Sequence, residues 1–183
     1  MIKKCNAVCS WILTLFLAGH FISMSYSMLT GWYDYAICKM LARGTAAVAV
    51  LHIVISMVIL LFLNEGTDLR KYPRRNLRVI LQRASGLVII ALLHLHVKAF
   101  GFIVQGAALS GSEKLWIFLT EFLFFAAIFL HLGVSFSRSL ITMGWLSSDT
   151  LERRIDRGIW ILCGLCFAGT AASLLQFLLG WMS

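Results

Sequence analysis

The sequence has little of what a water-soluble domain needs. Only 13% of its 183 residues are charged, there is one proline, and 8 acidic residues stand against 16 Lys and Arg, while 60% of the residues are hydrophobic. A soluble domain of this length carries about 25% charged residues, so this composition excludes that class and indicates a chain solvated by lipid. Residues 1–183 are expected to form one membrane domain.

The short alternating segments that are typical of barrel strands are also missing. Five continuous apolar stretches are present instead, each close to the roughly 20 residues that a helix needs to cross a bilayer. They are 8–30, 44–63, 79–102, 115–140 and 158–181. The first follows Lys3 and Lys4 as a signal peptide would, but its length and the absence of a small-residue cleavage site favour a span. The predicted fold is an all-α membrane protein of five transmembrane helices.

Positive charge is concentrated on one predicted side of the membrane. Most basic residues lie in three places that five spans put together: Lys3 and Lys4; Arg70, Lys71, Arg74, Arg75, Arg78 and Arg83; and Arg138, Arg153, Arg154 and Arg157. The positive-inside rule makes this side cytoplasmic, with the N-terminus inside. The pattern indicates topology rather than nucleic-acid binding. The polar segments 64–78 and 144–157 either dock a soluble partner or only fix orientation at the lipid headgroups.

No histidine lies in a predicted loop. At least one lies in each of the first four spans and none in the fifth: His20, His52, His94, His96 and His131. Ionisable residues at membrane depth are costly and usually face a bundle interior or a functional site. Imidazoles there bind haem iron, transition metals or protons. The distribution favours ligation over packing.

Depth and chain direction sort four histidines into two pairs. At about 1.5 Å per residue, His20 and His96 fall in the middle-to-outer membrane on spans that both run outward. His52 and His131 suit an inner pair on spans that both run inward. Facing helices of four-helix bundles build cofactor sites in their cores. The first four spans are therefore predicted to form a bundle that holds two haems, each between two histidines, for electron transfer.

Other polar residues in the spans bear on which metal or cofactor the histidines bind. His94 and His96 are about 200° apart around a helix, so both cannot bind the same iron in the same way. Glu121 is the one acidic residue well inside a span, whereas zinc and di-iron sites usually use carboxylates at one depth. Arg138 follows His131 by nearly two turns and either reaches a haem propionate or snorkels to the lipid interface.

The segment 81–97, LQRASGLVIIALLHLHV, resembles the third helix of the cytochrome b anchor subunits of succinate dehydrogenases and fumarate reductases, especially the single-chain, five-helix, two-haem class. Its Arg-x-Ser-Gly element is Arg83, Ser85 and Gly86, and the histidine ligand that follows in this class matches His96. One-haem relatives have the arginine near haem propionates and an inner quinone site. The resemblance thus makes Arg83 and Ser85 candidates for an inner quinone site. The alternative is that Arg83 binds a propionate while Ser85 and Gly86 let helices pack closely.

The resemblance extends over most of the chain. The segment 129–146, FLHLGVSFSRSLITMGWL, resembles the fourth helix, with its ligand at His131 and a Trp-containing turn after it. The segments FLAGHFI and VLHIVIS match the first- and second-helix ligands by position, at His20 and His52. The first span begins nearer the N-terminus than is usual in this class, which bears on the surface available to an iron-sulfur subunit.

The family implies a function as well as a fold. The chain would be the membrane anchor of a succinate:quinone oxidoreductase in the bacterial cytoplasmic membrane, with two haem b groups. Its partners would be a flavoprotein with covalent FAD and an iron-sulfur subunit on the cytoplasmic face. Electrons would pass between these subunits and a membrane quinone, for which two haems favour menaquinone. Succinate oxidation and fumarate reduction both stay open.

Polar residues toward the outer side are candidates for quinone binding. They are Tyr33, Asp34 and Tyr35 in the first outer loop, and Lys98, Gln105 and Glu121. Glu121 is deep enough to be protonated, hydrogen-bonded or paired with a cation such as Lys98. It is a candidate for quinol binding and proton transfer, and a structural or water-facing acid is the alternative.

Two other functions use the same histidines. One is the cytochrome b subunit of a hydrogenase or formate dehydrogenase, whose ligands lie on different helices and which lacks the spacing from Arg-x-Ser-Gly to histidine. The other is a haem-free transporter whose histidines relay protons. The Cys-x-x-Cys at Cys163 and Cys166 lacks the βαβ setting of a redox dithiol, and a thiolate metal site shared with Cys5 and Cys9 is a minor alternative.

Overall fold

The computed structural model describes residues 1–30, 32, 34–62, 73–104 and 108–179. Five α-helices follow one another in this part of the chain: α1 (Ile2–Thr30), α2 (Tyr35–Phe62), α3 (Pro73–Val104), α4 (Gly111–Met143) and α5 (Asp149–Leu178). Each is long and apolar enough to cross a membrane. The prediction of an all-α chain with five helices able to span a membrane is confirmed.

The helices extend beyond most of the predicted spans. α2 begins at Tyr35 rather than at 44, and α3 at Pro73 rather than at 79. Backbone hydrogen bonding does not stop where the hydrocarbon ends, so polar residues at the membrane surface continue each helix. Hydropathy locates the buried middle of a helix and not its termini.

Local capping explains where several helices begin and end. Ser110 and Glu113 form a capping box at the start of α4: Ser110 N donates to Glu113 Oε2 at 2.8 Å, and Glu113 N donates to Ser110 Oγ at 3.3 Å. Asp34 Oδ1 accepts from Ile37 N at 3.0 Å and caps α2. After α4, Gly144 has a φ of +80°, and the bond from Trp145 N to the Leu140 carbonyl completes a Schellman turn.

The chain falls into two compact units. The first is Met1–Thr67 with Ser139–Leu146. In it α1 and α2 lie antiparallel: Ser56 Oγ donates to Asn6 Oδ1 at 3.2 Å near one end, and Ser23 Oγ lies 3.0 Å from Cys38 Sγ near the other. Small polar side chains therefore join these two helices along their length, as is common where lipid supplies no hydrophobic drive to association.

The second unit is Asp68–Arg138 with Ser147–Ser183. Arg78 of α3 forms an ion pair with Asp156 of α5, with Nη2 and Oδ2 2.6 Å apart, and lies 3.6 Å from the Glu152 carboxylate. α4 is the most enclosed of the five spans, because 44% of its most apolar window is buried against at most 17% in the others. Glu121 and Ser137 of α4 are buried and thus face protein rather than lipid.

A residue of α5 packs closely on α4 at a glycine. A Cβ atom on Gly133 would lie 2.9 Å from the ring of Trp160, whereas a Cβ on Gly169 would have no heavy atom within 4 Å. An indole ring that rests on the helix backbone cannot move aside as the end of a flexible chain can. Gly133 is therefore required by packing.

Gly133→Ala is expected to destabilise the protein by about 1–3 kcal/mol, the usual cost of overpacking, and to lower its thermal unfolding midpoint in detergent. Gly169→Ala, which adds the same methyl group in open space, is the control and is expected to leave the midpoint unchanged or slightly higher. Equal midpoints for the two variants would show that Trp160 does not restrict position 133.

Candidate functional site

The histidines are divided between the two units. His20 and His52 belong to the first, and His94, His96 and His131 to the second. In the second unit, α3 and α4 are antiparallel and bring polar residues together at two levels. The inner histidine cluster is His131 with Gln82, Ser85, Gly86 and Arg138, and the outer histidine cluster is His96 with Glu121, Phe124 and Phe125.

His131 is held by the backbone of the neighbouring helix. Its Nδ1 atom lies 3.0 Å from the Gln82 carbonyl oxygen and 3.1 Å from Ser85 Oγ. A carbonyl oxygen can only accept a hydrogen bond, so Nδ1 carries the proton and donates it. In the neutral ring, the lone pair is then on Nε2. The contact with α3 thus selects one tautomer of His131.

The residues of α3 that face His131 are small for a physical reason. The Ser85 hydroxyl is buried and donates to the Leu81 carbonyl at 2.7 Å, within its own helix. Its oxygen stays available as an acceptor for His131. A Cβ added to Gly86 would lie 3.5 Å from Cε1 of His131, so the ring packs directly on the helix backbone. Larger side chains at these two positions would push the imidazole away.

Two arginines near this cluster have different surroundings. Arg138 is partly buried, and its Nη1 donates to Gln82 Oε1 at 3.3 Å. Gln82 therefore contacts His131 through its backbone and Arg138 through its side chain. Arg83 is exposed. Their predicted contacts, with a propionate or with quinone, stay predictions.

His96 is held by a carboxylate. Its Nδ1 atom lies 2.7 Å from Glu121 Oε2 on α4. Phe124 stacks on the imidazole at a centroid distance of 4.7 Å and an interplanar angle of 23°, and Phe125 meets its edge at 5.9 Å. Glu121 is only 6% exposed. Of the states predicted for Glu121, the structure has it hydrogen-bonded, with a histidine rather than Lys98 as its partner.

His94 has a different environment. It is exposed on α3, and its Nδ1 atom lies 3.0 Å from the Ala91 carbonyl of its own helix. It precedes His96 by two positions, and the helix turns the two rings to different sides. The structure thus places His96, and not His94, against α4.

In the first unit, His20 lies on α1 and His52 lies on α2. Nδ1 of His20 and Nδ1 of His52 are both buried. Nδ1 of His52 has no hydrogen-bond partner in the described ranges. The predicted pairs of His20 with His96 and His52 with His131 stay predictions.

The other quinone candidates are divided between the two units. Tyr33 and Gln105 lie outside the described residues, and Asp34 caps α2. Tyr35 lies beneath Lys39, whose Nζ is 4.8 Å from the ring centroid. Lys98 is exposed, with Nζ 5.7 Å from the centroid of Phe102. That ring borders a cavity of about 210 Å³ in the second unit, lined by Phe102, Leu109, Ser112, Glu113, Trp116 and Ile117.

Sequence reasoning missed three contributors to the clusters, Gln82, Phe124 and Phe125. Gln82 contacts His131 through a carbonyl oxygen, which every residue has, so no side-chain motif announces it. Phe124 follows Glu121 by three residues and so lies on the same face of α4. That spacing was the one available signal for an aromatic contact to the outer imidazole.

The tautomer of His131 gives a test that needs no cofactor. In the chain with 15N-labelled histidine and no bound cofactor, solid-state NMR is expected to show a proton on Nδ1 of His131, assigned through its loss in His131→Gln. Ser85→Ala should leave the tautomer unchanged, because the Gln82 carbonyl remains. A proton on Nε2 of His131 would contradict this geometry.

Comparison of the chain with protein family models, with curated proteins and with solved structures gives no match. No relative therefore supplies a function for the two clusters. What they do has to be inferred from their own chemistry.

Proposed function

We propose that this chain is the di-haem cytochrome b anchor of a succinate dehydrogenase or fumarate reductase. The observation that carries the proposal is that His96 and His131 are each held through Nδ1 by an acceptor on a neighbouring helix. Metal-bound histidines usually donate their second ring N–H to a carboxylate or carbonyl, which fixes the tautomer and orients the ring. The residues of both clusters fit that requirement, with Nε2 as the ligating nitrogen.

The spacing of the clusters favours two cofactors over one. His96 is level with Glu121 because the two are hydrogen-bonded, and His131 lies ten residues further along α4. At about 1.5 Å per residue, this separates the two imidazoles by about 15 Å along the helix. Ligands so far apart cannot serve one iron. Two sites at different depths fit electron transfer across the membrane.

The contacts of the Arg-x-Ser-Gly element support the family resemblance. Ser85 hydrogen-bonds to His131 and Gly86 packs on its ring. The element thus adjoins the histidine that the resemblance assigns as a ligand on the next helix. Its small residues give the imidazole room, and Ser85 with the Gln82 carbonyl orients it.

The proposal gives each histidine a role. A haem between two imidazoles supplies one-electron transfer and has no open position for oxygen or substrate. His20 with His96 and His52 with His131 are the proposed ligand pairs, in a bundle formed by α1 to α4. Arg138, which Gln82 already orients, is the proposed partner of a propionate on the cytoplasmic side.

A quinone is proposed to bind toward the outer ends of α3 and α4. The cavity there is bordered by Phe102 and Trp116, and apolar walls with a few polar groups suit a quinone ring. Nζ of Lys98 lies 5.7 Å from the centroid of Phe102, a ring that borders this cavity. The flavoprotein and the iron-sulfur subunit are proposed to dock on the opposite, basic side.

A visible difference spectrum tests the proposal. The purified chain is expected to contain two low-spin b haems by pyridine haemochrome quantitation. His96→Ala and His52→Ala should each lose one haem, and a different one, because each removes a ligand of a different pair. His94→Ala is the control and should keep both.

Absence of haem from chain expressed with ample haem supply would sink the proposal and favour a transporter with proton-relaying histidines. Two haems that both persist in His96→Ala and His52→Ala would instead favour a cytochrome b with another ligand set.

Position 86 offers a graded test of the inner site. Gly86→Ala adds a Cβ at ordinary contact distance from His131 and is expected to retain the inner haem. Gly86→Leu would occupy the space of the imidazole and is expected to lose that haem while the outer one remains. Full retention of both haems in Gly86→Leu would contradict the proposed ligation by His131.

A further inference from the structure

The two clusters differ in the charge of the group that accepts from Nδ1. His131 donates to a neutral carbonyl, beside a neutral hydroxyl. His96 faces a carboxylate at 2.7 Å, a distance typical of a charge-assisted hydrogen bond. The two acceptors also lie on different helices, Glu121 on α4 and Gln82 on α3.

The Glu121 carboxylate is committed to this one bond. Its side chain is 8% exposed, and its Oε1 atom is buried without a partner in the described ranges. A buried carboxylate with one hydrogen bond is expensive to maintain. The imidazole N–H is therefore its main source of stabilisation among the described side chains.

The ring of His96 has little freedom to turn away from the carboxylate. Phe124 covers one face and Phe125 meets an edge. Glu121 and Phe124 are one turn apart on α4, so a single helix face supplies the acceptor and the stacking partner. This face of α4 therefore fixes the orientation of the His96 imidazole, including the direction in which Nε2 points.

We infer that Glu121 is a positioning residue that, through the Nδ1–H of His96, orients this ligand and lowers the reduction potential of the haem that it binds. The inference rests on the proposed function. A carboxylate that accepts Nδ1–H gives the imidazole partial imidazolate character and makes Nε2 a stronger electron donor. Stronger donation favours ferric over ferrous iron. The negative charge nearby acts in the same direction, since it stabilises the more positive oxidation state in a weakly screened interior.

The test is a redox titration of the purified complex, followed in the haem absorption bands, with Glu121→Gln as the main variant. Gln keeps an acceptor oxygen for Nδ1–H but has no charge. Both haems are expected to remain bound, and the midpoint potential of the haem that His96→Ala removes is expected to rise. The other haem should not change, because its ligand His131 has neutral acceptors.

Two further variants make the result specific. Asp149→Asn removes an exposed carboxylate from the first turn of α5 and should leave both potentials unchanged. Glu121→Asp keeps the charge but withdraws it by one methylene group, and should raise the potential by less than Glu121→Gln. Loss of the outer haem alone in Glu121→Gln, whose amide oxygen can still accept from Nδ1–H, would contradict the orienting role, and the potential of Glu121→Asp would then decide the electronic one.

The outcomes separate this inference from the proposed function. Two haems in the wild type with an unchanged or lower potential in Glu121→Gln would overturn the inference and leave the anchor proposal standing. A shift confined to the haem that survives in His96→Ala would overturn it too. No haem in the wild type would remove the proposed function itself.

Discussion

A hydrogen-bond donor inside a hydrocarbon layer has to find its acceptor within the protein, because no water is there to supply one. The backbone of a helix satisfies itself, but an imidazole N–H does not. His131 meets the requirement with the Gln82 carbonyl, whose second lone pair is available beside the helical hydrogen bond. The imidazole must approach the backbone of α3 closely to reach this carbonyl. Gly86 allows that approach because it has no side chain.

This contact also sets the register of α3 against α4. The two helices are antiparallel, so ten residues forward from Gly86 on α3 correspond to ten residues back from His131 on α4. Those steps arrive at His96 and Glu121, which are hydrogen-bonded. The same alignment thus satisfies both imidazoles, and the glycine that admits one ring also brings the carboxylate to the other.

The number of helices, and the histidines and the acid within them, could be predicted from the sequence because both follow from the order of residues along the chain. Apolar length identifies a span, and an ionisable residue within it is costly enough to need a reason. Partners across helices carry no such signal. Glu121 was noted as a buried acid, but its link to His96 depends on the register, which hydropathy does not encode. Helix ends were missed for a related reason, since Ser110 and Glu113 define the start of α4 by capping rather than by apolarity.

The ion pairs of Arg78 have an effect beyond joining α3 to α5. They engage Glu152 and Asp156, two of the acidic residues in the first turns of α5, whereas Arg153, Arg154 and Arg157 on the same turns are exposed. The carboxylates of Glu152 and Asp156 thus face Arg78 of α3, while the three arginines are exposed on the same helix. An acidic surface approaching this end of α5 would be attracted at long range and would meet arginines whose backbone is already fixed in a helix.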